Sequence, residues 1–447
     1  LRASHAYYDF SQAQTGFEEK DDMQKTLALR LYGENDLRLE RFELPEIADN
    51  EILAEVISNS ICMSDHKAAA QGGRHKRVPA DCATNPIILG HEFCGTLLKV
   101  GPAWRDRFQP GQKFAIQPAL SMKGREHMAP GYSYPHIGGH ATHVIIPNDV
   151  MEHNCLLPYD GDAFFKASLA EPVSCIVGAY KSSYHYTPGT YVHQMGVRRG
   201  GCMAVLAGAG PMGLSAIDLA LHDETYRPAV LVITDIDQTR LDRAAAIFSP
   251  AEAAKCGVKL HYVNTTAHDD PVAALKALTP GGQGYDDVMV FAPVAALVEQ
   301  ASDILGLNGC LNFFAGPTKT DFKAKMNFYD VHYMGHHVVG SSGGNKEDLQ
   351  DSLNLMSAGK IDPAVMVTHV GGIDSAAETT INLPSIPGGK KLVYTHISMP
   401  MTAISDFAAK GKDNPLLAGL AEICERNRGL WSLEAEQFLL KNANVIG

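Results

Sequence analysis

The sequence predicts an α/β protein in which a doubly wound parallel sheet is joined to a β-rich domain. Three observations carry this. Strand-like runs at Thr26 to Tyr32, Leu37 to Leu44 and Glu51 to Ser60 are separated by turn residues, as antiparallel strands are. From Gly201 onward, apolar runs at Met203, Val230, Leu260, Asp287, Cys310 and His337 alternate with helical patterns, as parallel strands joined by crossover helices do. Where that second grammar begins, Val205 to Ala220 reads VLAGAGPMGLSAIDLA: a strand end, a glycine-rich turn and an amphipathic helix.

A chain of 447 residues has room for two domains, or for one with a large insertion. Its apolar content, 45%, is enough for sizeable cores. A net charge of −12 argues against a general nucleic-acid binder, which needs a basic face, and leaves a small anionic substrate open. The nine cysteines are scattered and contain no C-x-x-C, which suits a reducing cytoplasm better than a disulfide framework. The most apolar stretch, Ala204 to Ile217, is too short and too glycine-rich to span a membrane. No secretory signal is visible.

The first 22 residues are polar and aromatic without periodicity and read as a tag remnant or disordered extension. A β-rich domain is expected over 23–180. After the three opening strands, glycine, proline and polar residues fill Gln71 to Pro86. Strand patterns return at Ile87 to Val100, Lys113 to Pro118 and His143 to Pro147, with a long loop at Ala119 to Gly139. Ala163 to Tyr180 has helical spacing, and Tyr184 to Gly200 is irregular. The parallel sheet is expected within 181–345, ending near Gly343-Gly344. Over 346–447 the chain returns to the first domain through a strand at Lys390 to Thr395. It ends in mostly helical sequence, Ala403 to Leu440.

The glycine turn carries chemistry. Gly208 permits the tight turn, Gly210 lets a pyrophosphate approach the backbone, and Gly213 lets the helix lie against the strand. Pro211 and Met212 open the helix, whose free N–H groups face the phosphates. Val230 to Asp235 is an apolar run ending in a carboxylate, 22 residues past Gly213. An acid there accepts from a ribose diol and repels a 2′-phosphate, so NAD(H) is expected over NADP(H). Arg240, at the next helical start, completes the candidate cofactor set.

A second constellation lies in three short segments: Ile61 to Lys67 (ICMSDHK), Gly90 to Gly95 (GHEFCG) and Leu169 to Cys175 (LAEPVSC). With these residues and the order of its parts, the chain resembles the medium-chain dehydrogenase/reductase family, in particular its zinc-dependent alcohol and polyol dehydrogenases. The stretches LNFFAGPT, VVGSSGG and LPSIPGGKKL resemble a sugar-phosphate branch of that family. The resemblance implies a Rossmann domain inserted into a GroES-like catalytic domain. It implies Cys62, His91 and Glu171 as zinc ligands, a set whose chemistry suits a catalytic zinc with one open position. Cys175, one helical turn from Glu171, is the alternative ligand. Glu92 is placed beside the metal, as a hydrogen-bonding partner or an exchanging ligand. Ser64 is placed as the proton-relaying hydroxyl. A relay histidine commonly follows in the polyol members; here Lys67 holds that position and His66 precedes it. Gln117 to Pro147 has no cysteine, so one catalytic zinc per chain and no structural zinc is expected. The loop Met122 to His140 takes the place of the structural lobe, with Tyr132, Tyr134, His136 and His140 as packing residues.

A phosphorylated substrate needs cations, and Lys76 and Arg77, within Arg74 to Arg77, are the candidates. Lys390 and Lys391 are a weaker pair of candidates, since a lysine at a strand start commonly faces water. The resemblance implies reduction of L-sorbose 1-phosphate to D-glucitol 6-phosphate by a homodimer or homotetramer with no nucleic-acid or membrane partner. The rivals are a dehydrogenase of another hexitol phosphate or a free polyol, a zinc-free quinone reductase, and a non-catalytic NAD-binding regulator.

Overall fold

The computed structural model describes residues 25–446, so the extension expected over 1–22 lies outside the described residues. The first sheet is built around the strand Ile52–Ile61. It pairs antiparallel with Glu92–Val100 on one side and with Lys390–Tyr394 on the other, and also takes His143–Ile146. Lys113–Ile116 and Leu156–Pro158 extend one edge, and Val367–Gly372 and Thr402–Ala403 the other, giving eight strands. Ser58, Asn59 and Ser60 are fully buried on the central strand, so this core carries polar groups that must be bonded internally.

The second sheet has six parallel strands in the order Lys259–Asn264, Val230–Asp235, Cys202–Leu206, Tyr285–Val290, Leu305–Phe313, His337–Gly340. All residues of Cys202–Leu206 and Val230–Asp235 are buried, as central strands covered on both faces must be. The strand order reverses between Cys202–Leu206 and Tyr285–Val290. A crevice at the carboxyl ends of such strands is where a doubly wound sheet takes a dinucleotide.

Two segments differ from expectation, and Met63–Gln71 adds a helix. Tyr184 to Gly200 contains a short hairpin, Tyr184–Tyr186 with His193–Met195. The helical run at 163–180 is two helices, Phe164–Ser168 and Ala170–Ser182. Pro172 sits in the first turn of the second, where its missing N–H costs nothing.

The C-terminal segment folds as helices Pro415–Arg426 and Leu433–Asn442, packed over the returning strand. Trp431 is fully buried and its indole N–H donates to the Tyr394 hydroxyl at 2.9 Å. Tyr394 in turn donates to Glu436 at 2.8 Å. The Glu436 carboxylate also accepts from the Phe164 and Phe165 N–H groups, each at 2.8 Å. It therefore caps a short helix that has no side-chain cap of its own.

Burial pushes the Glu436 carboxyl up to about 7, against the hydrogen bonds that favour its ionised form. A raised carboxyl contributes stability that is fully present below the unfolded pKa of roughly 4.3 and is lost as pH rises through about 7. We expect the melting temperature of the wild type to fall more steeply between about pH 5 and pH 8 than that of Glu436→Gln. Parallel melting curves would show that this carboxyl does not change protonation on folding.

Candidate active site

The site forms where the central strand ends. Cys62 follows Ile61 directly and is the N-cap of the helix Met63–Gln71. Asp65, fully buried, uses one carboxylate oxygen to accept the Cys62 N–H at 2.9 Å. The other accepts His91 Nδ1 at 2.8 Å. A proton held at Nδ1 leaves Nε2 as the metal-binding lone pair. On its own, burial depresses the His91 ring; the Asp65 charge and hydrogen bond outweigh it and hold the ring well above its ordinary range. Gly90 enables the turn before this histidine: its φ is 101°, and a Cβ there would meet His140 Cδ2 at 2.9 Å.

Cys62, His91 and Glu92 place one donor atom each within 4.8 Å of one another, the one such group among the described residues. Thiolate, imidazole and carboxylate are the donors zinc takes, so the set fits that ion. Glu92, expected beside the metal as a partner or exchanging ligand, stands in this group. Glu171 is buried nearby on the helix Ala170–Ser182 but stands outside this group, and Cys175 donates to its Oε1 at 3.8 Å. Glu92 lies inside because two neighbouring strands hold it. Ser60 Oγ donates to its Oε2, and Lys390 Nζ donates to Oε1 at 2.5 Å and Oε2 at 2.7 Å. Lys390, expected to face water, is 6% exposed, and Lys391 is 2% exposed. Lys391 turns the other way and is wrapped by the carbonyls of Ile386, Pro387 and Gly389. Burial and the Lys390 charge pull its amine down to about 8. Burial likewise raises the Glu171 carboxyl, partly offset by His91.

Ser64 Oγ donates to Cys62 Sγ at 3.1 Å. Tyr132 is more than a packing residue: it is fully buried and its hydroxyl lies 2.9 Å from His91 Nδ1. Tyr134, His136 and His140 do serve the framework. Tyr134 donates to Asp149 at 2.8 Å, His136 lies against Phe42, and His140 pairs with Asn59. Lys67 reaches across to the parallel-sheet side and donates to the Gly316 carbonyl at 3.1 Å. Of the basic loop, Arg74 pairs with Glu34 at the surface, Lys76 is exposed and Arg77 is half-buried. Asp65 and Tyr132 escaped sequence reasoning. The Asp65 signal was present as an acid three residues past an N-cap. Tyr132 had none, being brought in by a long loop.

At the glycine turn, a Cβ on Gly213 would lie 1.8 Å from the Gly208 carbonyl oxygen, whereas Gly210 faces open space. Gly210 is the N-cap and Pro211 the first residue of the helix Pro211–His222, with Met212 half-buried behind it. Asp235, at the end of its strand, accepts from the N–H groups of Ile236 at 2.9 Å and Asp237 at 3.1 Å. Arg240 is exposed and pairs with Asp237 at 3.5 Å. These residues fit a dinucleotide.

Residues 48–155 match the alcohol dehydrogenase GroES-like domain, and residues 211–358 the zinc-binding dehydrogenase domain. An L-sorbose 1-phosphate reductase of Klebsiella pneumoniae is 49% identical over 95% of this chain and 99% of its own. The chain belongs to the zinc-dependent medium-chain dehydrogenase/reductase family. A mannitol-1-phosphate 5-dehydrogenase of Aliivibrio fischeri is 48% identical, with the same shares of both chains covered. The 2R,3R-butanediol dehydrogenase of Bacillus subtilis shares the fold, with a TM-score of 0.66 at 20% identity over 83% of this chain and 99% of that one. Family membership and the Cys62–His91–Glu92 group make the chain an NAD-dependent zinc oxidoreductase.

Asp65→Asn keeps one acceptor oxygen where the wild type uses two. We expect its zinc affinity, measured by chelator competition, to fall roughly 10–100-fold with helix content unchanged. Undiminished affinity would confine Asp65 to capping its helix.

Proposed function

We propose that this dehydrogenase reduces L-sorbose 1-phosphate to D-glucitol 6-phosphate with NADH. The observation that carries the reading is the Cys62–His91–Glu92 group, in a chain nearly half identical over its length to a reductase of that sugar phosphate. Oxidation of another hexitol phosphate is the second reading, favoured by the nearly equal identity to the mannitol-1-phosphate enzyme.

Cys62, His91 and Glu92 hold the single zinc of each chain, with Glu171 lining the same centre. Gly208, Gly210, Pro211, Met212, Gly213, Asp235 and Arg240 hold the dinucleotide. When bound, zinc supplies a Lewis acid toward the sugar oxygen, and NAD(H) supplies or accepts the hydride. Asp65 fixes the tautomer and direction of His91. In reduction the sugar oxygen must gain a proton as its carbon gains hydride, and Ser64 is the hydroxyl placed to give it. The nine free cysteines support a cytoplasmic location, and no described helix is long and apolar enough to cross a membrane. The outer strand His337–Gly340, near exposed Phe328, Tyr329 and Tyr333, supports a homodimer or homotetramer.

We expect NADH oxidation on L-sorbose 1-phosphate that is lost with a zinc chelator and restored by zinc. Better turnover on mannitol 1-phosphate with NAD would move the assignment to the second reading. For the cofactor, Asp235→Ser is expected to narrow the gap in kcat/KM between NADH and NADPH about tenfold or more. An unchanged ratio would assign selection to another residue.

A further inference from the structure

Within the basic loop Arg74 to Arg77, Arg77 is the cation that stands over the Tyr132 ring, which itself packs against the metal-binding His91. Arg74 is 71% exposed and already paired with Glu34 at 2.7 Å. The Arg77 guanidinium stands 5.3 Å from the centroid of the Tyr132 ring. That ring also packs against His91, at 4.9 Å between centroids, and stacks on His75 at 5.9 Å. The Arg77 backbone is fixed on both sides: its carbonyl accepts from Ser133 Oγ at 2.7 Å, and its N–H donates to His75 Nδ1 at 3.3 Å. Among the described residues no carboxylate lies within 4.0 Å of its guanidinium. A half-buried arginine held by an aromatic face keeps its N–H edge free, and that planar fork matches phosphate oxygens.

We propose that Arg77 receives the substrate's phosphate, and that its place one tyrosine ring from His91 selects ketoses phosphorylated on the carbon adjoining the reacting carbonyl. This rests on the ketose-phosphate reading above. In a 2-ketohexose 1-phosphate, carbonyl and phosphate sit on neighbouring carbons. With the carbonyl at the Cys62–His91–Glu92 centre, the phosphate falls within reach of a cation one side chain away. In a 2-ketohexose 6-phosphate the phosphate is at the far end of the sugar and projects away from Arg77. Tyr132 is then a positioning residue twice over: its hydroxyl touches the metal-binding histidine and its face holds the arginine. The loop Met122 to His140 therefore sets the distance between the two subsites.

The test uses the full-length zinc enzyme with NADH and four sugars: L-sorbose and D-fructose, each phosphorylated on carbon 1 or on carbon 6. Free L-sorbose is the reference. We expect the wild type to prefer each 1-phosphate to its 6-phosphate about tenfold or more in kcat/KM. In Arg77→Ala, the ratio of kcat/KM on L-sorbose 1-phosphate to that on L-sorbose should fall about 10–100-fold, with most of the change in KM. Arg77→Lys keeps the charge without the fork and should recover part of it. Calorimetric titration of the same sugars into wild type and variants separates this inference from the assigned reaction. If no sugar is turned over but 1-phosphates bind tightly only when Arg77 is present, the reaction falls and the phosphate site stands. If the ratio is unchanged in Arg77→Ala, or binding ignores Arg77, the inference falls and the dehydrogenase remains. Equal or better use of the 6-phosphates overturns the positional selection.

Discussion

The buried pair between Lys390 and Glu92 joins parts of the chain 298 residues apart, and the metal centre is built on it. Taking two charges out of water is costly, and only tight geometry with further hydrogen bonds offsets that cost. Here Lys390 donates to both oxygens and Ser60 adds a third donor. The three residues come from adjacent strands of one sheet: Ser60 lies opposite Glu92 on one side and opposite Leu392 on the other. The returning strand therefore does more than complete a sheet. Without it the Glu92 carboxylate would be buried with no cation, and the strand that ends at Cys62 would lose one neighbour.

The same strand ties the C-terminal helices to the site. Tyr394 lies one strand-length from Lys390 and bonds both Trp431 and Glu436. Glu436 caps the short helix that leads into Ala170–Ser182, the helix that carries Glu171. The tail thus braces two walls of the centre through one carboxylate. Beside the apolar packing of Ala170–Ser182 against Pro211–His222, polar contacts reach the parallel-sheet side, such as Lys67 to the Gly316 carbonyl and Gln117 to the Asn345 carbonyl at 2.9 Å. Short polar contacts of this kind suit a cleft that must admit a dinucleotide and a sugar.

What could be read from the sequence follows the range of each interaction. The glycine turn and Asp235 were legible because the strand, turn and helix that give them meaning are contiguous. Cys62 and His91 were legible only through resemblance, since nothing local marks a metal site 29 residues apart. The place of Glu92 beside Cys62 and His91 was legible only as part of the GHE segment, because what holds it there is Lys390 and Ser60, which sequence spacing does not locate. Lys390 was misread for the same reason: a lysine at a strand start faces water unless a buried acid waits for it. Tyr132 enters on a loop without periodicity, so its place was decided wholly by tertiary packing.

The charges around the centre explain why it calls for a cation. Asp65, Glu92 and Glu171 are all buried, and Cys62 adds a thiolate when it binds metal. Against them stands one buried lysine, Lys390, with His91 shared between proton and metal. A divalent ion redresses that imbalance where it is densest, between Cys62, His91 and Glu92. The residual field still repels a phosphate dianion approaching the same cleft. An arginine set one ring back from the metal, unpaired and braced by Tyr132, offsets that repulsion without competing for Glu92. The loop Met122 to His140, which brings in Tyr132, would then serve recognition of the substrate as well as packing.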